Sequence, residues 1–215
     1  RSKKAEKKLK GAEIQLQETL TKIEEAKKHV TQEREKQQPL IKSIKKEWFE
    51  KFRWFYSSDG LLVIGGRDST SNEVLIKTHV EPQDIIFHAE IIGAPFVVIK
   101  SKGKPIPDQT INEAAQLAAS YSRAWKEMLS TVNVYWVTPE QVSKTPPSGQ
   151  FLKKASFMIS GSKNFVRCIS LRIAIGIKLN DKYIRVIGGP VEAISVQTDT
   201  FVEVTPGDQK SSQLA

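Results

Sequence analysis

The 215 residues suffice for one sizeable hydrophobic core or two small ones, and an apolar content of 39% fills one. A net charge of +9, from 33 Lys and Arg against 24 Asp and Glu, points to phosphate-rich partners such as a nucleic acid or a ribosome. The single cysteine, Cys168, excludes a disulfide framework within the chain and a Cys-rich zinc site, and fits a reducing, cytoplasmic setting; no apolar run approaches the roughly 18 residues of a membrane span, so no membrane is expected.

From Arg1 to Gln38 the sequence contains no proline, and Leu9, Leu16, Ile23 and Val30 recur at heptad spacing with Ala12, Thr19 and Ala26 at the alternate seam positions. This predicts a coiled-coil helix over residues 1–38. Its seam of small and polar residues is weak, so it calls for a partner helix from an upstream segment or a second chain. Pro39 then marks a break. Trp48, Phe49, Phe52 and Phe55 lie at helical spacing beside Lys45, Lys46, Lys51 and Arg53, which predicts a helix over Ile41 to Ser57 with one aromatic and one basic side. Ser58-Asp59-Gly60 is a turn, Leu61 to Ile64 a buried strand, and Gly65-Gly66 a bend leading to Arg67-Asp68.

Glu73 to Val80 reads as a second helix behind the capping run Ser69 to Asn72. Asp84 to Glu90 and Phe96 to Ser101 read as a hairpin around Gly93-Ala94-Pro95. The longest helix of the domain is expected over Thr110 to Leu129, with Ala114, Ala115 and Ala118 small enough for close approach to a sheet. Val132 to Val137 is a further strand. The polar connection Thr138 to Gly149 is long for a compact domain. Ser156 to Val204 alternates apolar strands with turns and shows no helical pattern, and residues 208–215 form a polar tail. The fold class that follows is α+β: a mixed or antiparallel sheet with a long helix, preceded by the coiled-coil helix. The domain is expected over 41–175, with a β-rich extension over 176–207 packed on it.

No catalytic constellation is visible, and no enzyme activity is expected. His29, His79 and His88 lack metal-ligand spacing, so no metal is expected. The glycine pairs complete no phosphate-cradling motif, so no cofactor is expected either. What remains is a set of polar residues at the ends of predicted elements. In the first half these are Arg53, Ser57, Asp59, Arg67 and Asp68, followed by Asn72, His88 and Lys100. In the second half they are Ser143, Lys144 and Lys153, then Lys163 and Asn164. Cations of this kind bind phosphates, Asn, Ser and Asp bind ribose or base edges, and His stacks. Each has a structural alternative: Asp59 closes its own turn, Asp68 caps a helix, Arg67 pairs with a neighbouring acid, and His88 packs in a partly buried position. Of the tryptophans, Trp54 is the one expected to be exposed.

The stretch EWFEKFRWFYSSDGLLVIGGRDSTSNEVLIK from Glu47 to Lys77, with FHAEIIGAPFVVIKS and QVSKTPPSGQFLKKASFMISGSKNF after it, resembles the NFACT-R domain of the NFACT, or NEMF-like, ribosome-quality-control family. The basic N-terminal helix resembles part of that family's coiled coil, and the short segment after the shared domain points to an archaeal member. The resemblance implies an RNA-binding module that contacts tRNA and the large ribosomal subunit carrying a stalled nascent chain, supporting untemplated tailing of that chain. A protein-interaction module that recruits a quality-control partner is the rival reading, with an RNA-processing enzyme behind it.

Overall fold

The computed structural model describes residues 46–144, 156–180 and 183–208, together with residues 15, 17 and 19–25. The upstream residues are helical and belong to helix α1. The hydroxyls of Thr19 and Thr21 donate to the carbonyls of Gln15 and Gln17 one turn back, and Leu20 and Ile23 are exposed. The remainder of the predicted coiled coil, residues 39–45 and the tail from 209 onward lie outside the described residues.

The second unit starts with a 3-10 turn, Trp48–Lys51, and strand β1, Arg53–Tyr56, where the sequence predicts a continuous aromatic helix. Aromatic residues favour strands, and the Ser57–Gly60 turn folds β1 back onto β2, Leu62–Gly65, in antiparallel register from Arg53↔Gly65 to Tyr56↔Leu62. That pairing prevails over helical spacing. The aromatic side chains consequently part company: Phe49 and Phe52 enter one core cluster and Phe55 another. Trp48, not Trp54, is the exposed tryptophan, at 43%, and it stacks on His79.

Helix α2, Ser69–Thr78, begins earlier than predicted because Asp68 is its N-cap, accepting from the Ser71 amide in a reciprocal capping box. Strands β3, Ile85–Ala89, and β4, Val97–Lys100, form the expected hairpin. Helix α3, Asp108–Ser120, is shorter than predicted. It stops at Tyr121, where Ser122 donates its hydroxyl to the Ala119 carbonyl and caps a new short helix α4, Arg123–Lys126. Strand β5, Thr131–Val137, follows. The long connection contains a 3-10 turn, Pro139–Gln141, and β6, Val142–Ser143, which pairs with β7, Met158–Ile159. Strands β8, Asn164–Ser170, β9, Ile173–Asn180, and β10, Tyr183–Gly189, lead to a short helix α5, Val191–Ser195, absent from the sequence-based expectation, and β11, Phe201–Val204.

The main sheet has the order β1-β2-β4-β3-β5-β8, with antiparallel neighbours throughout. On one face Val63, Phe87, Val97 and Val134 meet the alanines of α3, whose small side chains let the helix backbone approach the sheet. On the other face Leu62, Ile64, Ile86 and Val98 are covered by Leu75 of α2 and by Phe49 and Phe52. A second sheet, β10-β9-β11, buries Ala174 and Ile187 with Ile194 of α5. Ile175, Ile177, Leu179 and Ile184 of its strands are 42% to 72% exposed.

One contact fixes α2 against the sheet. The Asn72 side-chain oxygen accepts the Phe96 amide at 3.0 Å, while the Gly66 amide donates to the Phe96 carbonyl at 3.0 Å. A Cβ on Gly66 would stand 1.9 Å from that Asn72 oxygen. Gly66→Ala is therefore expected to displace the Asn72 side chain and cost about 2 kcal/mol in urea unfolding. In an Asn72→Ala background the added cost should fall below about 1 kcal/mol, because the oxygen to be displaced is gone.

Candidate nucleic-acid interface

Antiparallel pairing brings the end of β2, the start of β1, the end of β3 and the start of β4 to one edge of the sheet. There, beside the N-terminus of α2, lies a cleft of about 440 Å³. Five of the predicted residues line it together: Arg53, Arg67, Asp68, Asn72 and His88. The Arg53 guanidinium donates to the Gly66 carbonyl at 2.5 Å and lies over the Tyr121 ring, 4.5 Å from its centroid. Burial pushes this guanidinium below its ordinary pKa and pushes the Tyr121 hydroxyl up; an arginine starts so high that it stays charged. Arg67 is exposed and holds the incoming chain through the Glu50 and Phe52 carbonyls, at 3.2 and 3.1 Å from one terminal nitrogen.

Asp68 is kept below the usual carboxylate range by the Ser71 amide and hydroxyl. Asn72 spends its oxygen on Phe96, which leaves its amide nitrogen without a partner among the described residues. His88 packs between Phe96 and Tyr135, with centroids 4.8 and 6.0 Å away. Burial lowers its pKa, with a smaller contribution from Lys163, while hydrogen bonding to the Ala89 and Ala94 backbone opposes the shift.

Two more predicted cations sit on rings of the same cleft wall. Lys163 lies over Tyr135 at 4.2 Å and Lys144 over Phe157 at 5.8 Å. Lys144 also pairs with Glu73, which bonds Lys77 at 2.8 Å as well; these contacts hold the Glu73 carboxyl down to about 2, with Lys144 the leading cause. Ser143 precedes Lys144 on β6, opposite Met158. Asn164 stands opposite Trp136, and so on the α3 face of the sheet, away from Tyr135. Lys153 lies outside the described residues.

Three predicted residues sit at the other end of the sheet with internal partners. Ser57 is buried, its hydroxyl accepting from the Leu61 amide and bonded to the Thr110 hydroxyl oxygen. Asp59 accepts from Thr110 at 2.7 Å. Lys100 is 5% exposed and reaches Asp84 at 2.5 Å and the His79 carbonyl at 2.8 Å. These are framework groups, and the structure removes them from the cleft. What the sequence reading missed is aromatic: Phe96, Tyr121, Tyr135 and Phe157 line the cleft. Tyr121 falls inside the helix expected over Thr110 to Leu129, since nothing in the alanine-rich pattern marks the end of α3, although Ser122 is a capping residue type.

An antiparallel α+β sheet that gathers cations around a cleft walled by aromatic rings has the makeup of an RNA-binding domain. The chain belongs to the NFACT protein RNA binding domain family, which matches residues 51–161 and so takes in the cleft from Arg53 to Ile159. It is 37% identical over 177 residues to the archaeal Rqc2 homolog aRqcH of Methanocaldococcus jannaschii, covering 81% of this chain and 26% of that protein. It is 41% identical over 198 residues to the Drosophila melanogaster ribosome quality control complex subunit NEMF homolog, covering 91% and 19%. With human ribosome quality control complex subunit NEMF the identity is 44% over 163 residues, covering 75% and 14%. The chain thus spans at most about a quarter of the length of these relatives.

The lowered His88 pKa has a sign that can be checked. The unfolded chain binds the proton more readily than the folded one, so the stability contributed by neutral His88 is present above its ordinary pKa of 6.5 and is lost as the pH falls below it. His79, pushed down by burial and by Lys51 and Lys100, acts in the same direction. Urea unfolding at about pH 7.5 and about pH 5.5 should show a loss at the lower pH that His88→Gln reduces without abolishing.

Proposed function

We propose that this chain is the RNA-contacting module of a ribosome-associated quality-control factor, holding tRNA against the large ribosomal subunit that carries a stalled nascent chain. In this reading it supports untemplated tailing of that chain by positioning RNA, and it carries out no chemistry of its own. The observation that carries the reading is the cleft, where Arg53, Arg67 and Lys163 surround aromatic rings within the segment typical of the family and just beyond it. The quality-control roles carried in the names of the relatives support this setting, and the helical residues upstream fit an arm that pairs with a helix of another segment or chain.

A second reading, recruitment of a protein partner, is favoured by one observation: the exposed aliphatic side chains of the β10-β9-β11 sheet. The two differ in their response to salt. Contact with about six phosphates implies a log-log slope of affinity against salt of roughly −4 to −5, whereas an aliphatic interface would hold or strengthen.

Binding of tRNA and of purified large subunits measured across a salt series should show that steep slope. Lys163→Ala should make it shallower by about one unit and leave the unfolding midpoint nearly unchanged, since Lys163 is exposed and its contact is with the Tyr135 ring. A flat salt response would overturn the RNA reading in favour of the protein-docking one.

A further inference from the structure

The cleft contains more than phosphate-binding charge. A surface that only tracks a backbone needs cations, yet this one has a floor of Phe96 and Tyr135, both buried, and a wall with the half-buried rings of His88 and Phe157. Its volume of about 440 Å³ lies within the roughly 300–1,000 Å³ of clefts that take one small ligand. The polar groups Arg53, Arg67, Asp68 and Asn72 line the same cleft beside the start of α2.

The carboxylate decides which part of an RNA goes there. Asp68 would repel a phosphate placed against it, and it can only accept hydrogen bonds, so it selects a donor. The Ser71 amide and hydroxyl both bond the Oδ1 atom, which leaves acceptor capacity on the other carboxylate oxygen for a hydroxyl. Ribose hydroxyls are such donors, and the 2′-hydroxyl is the one DNA lacks. The Asn72 amide nitrogen, without a partner among the described residues, is a donor suited to a carbonyl or ring nitrogen on a base edge. Arg67, exposed at the mouth, is placed for the adjoining phosphate. A base still paired within a helix cannot lay its face on a ring, so only an unstacked base satisfies the aromatic wall.

We propose that the cleft receives one unstacked ribonucleotide of the bound RNA, its base against His88 and Phe157, its ribose hydroxyl on Asp68 and its phosphate at Arg67. The inference rests on the RNA-binding reading above and specifies what that RNA must present: an unpaired residue in a loop, bulge or end.

The test uses the whole chain and two RNA hairpins of matched length and charge, each closed by a non-nucleotide linker so that no loop residue is unpaired, one fully paired and one with a single bulged nucleotide, with binding followed by fluorescence anisotropy. The bulged hairpin should bind about tenfold more tightly, the scale expected of one base stacked on aromatic rings, with the same salt slope as the paired one. A deoxynucleotide at the bulge should lose part of that advantage. Asp68→Asn, which preserves the helix cap, should erase the ribose preference, and Phe157→Leu, which keeps an apolar side chain in place, should erase the preference for the bulge. Equal affinity for the two hairpins, with a steep salt dependence retained, would overturn the single-nucleotide site and leave RNA binding intact. No binding to either at low salt would overturn both.

Discussion

The close approach of Gly66 to Asn72 is the constraint on which the cleft depends. Since Gly66 has no side chain, the Asn72 oxygen can come near enough to accept the Phe96 amide, and the same residue, Phe96, takes the Gly66 amide on its carbonyl. The start of α2 is thereby fastened to the end of β2 and the start of β4. Asp68 caps the helix at this point and Arg67 is drawn over the carbonyls that lead into β1. Arg53 completes the corner by donating to the Gly66 carbonyl, which holds its guanidinium over Tyr121. The polar wall is thus ordered by backbone hydrogen bonds, and ordering of this kind lowers the entropic cost of binding.

Much of this was legible in the sequence, for reasons that particular residues make plain. The alanines of α3 announced a helix lying close on a sheet, and Gly93-Ala94-Pro95 announced a hairpin. The residues of the polar corner were legible as well, since Gly66, Arg67 and Asp68 follow an apolar run too short to be anything but a strand. The aromatic segment was read with the wrong period. Phe49, Phe52 and Phe55 do lie at helical spacing, yet Phe55 faces α3 while Phe49 and Phe52 face α2, a division that only an extended chain between them allows.

Strand direction was the information most needed and least available. In an antiparallel sheet successive strand ends fall at opposite edges, so a list of polar residues at strand ends mixes two places. Arg53 and His88 fall at one edge. Ser57, Asp59 and Lys100, equally polar and equally terminal, fall at the other and are consumed by Thr110, Leu61 and Asp84. The aromatic lining was hidden for a related reason: Tyr135 and Phe157 come together only through the pairing of β5 with β3 and β6 with β7, which no local pattern encodes.

The buried pair of Lys100 and Asp84 separates the fold from the ionic conditions in which it works. Asp84 also accepts the amides of Glu81 and Ser101, so the pair ties the chain before β3 to the end of β4. Mobile ions screen charges they can approach, and they approach buried ones poorly. The exposed cations around the cleft and this internal pair are both electrostatic, yet counterions compete freely only with the first. Contacts at the cleft edge of the sheet can therefore be made and released while the far edge stays locked, so that the domain lets go of a polyanion without loosening its own framework.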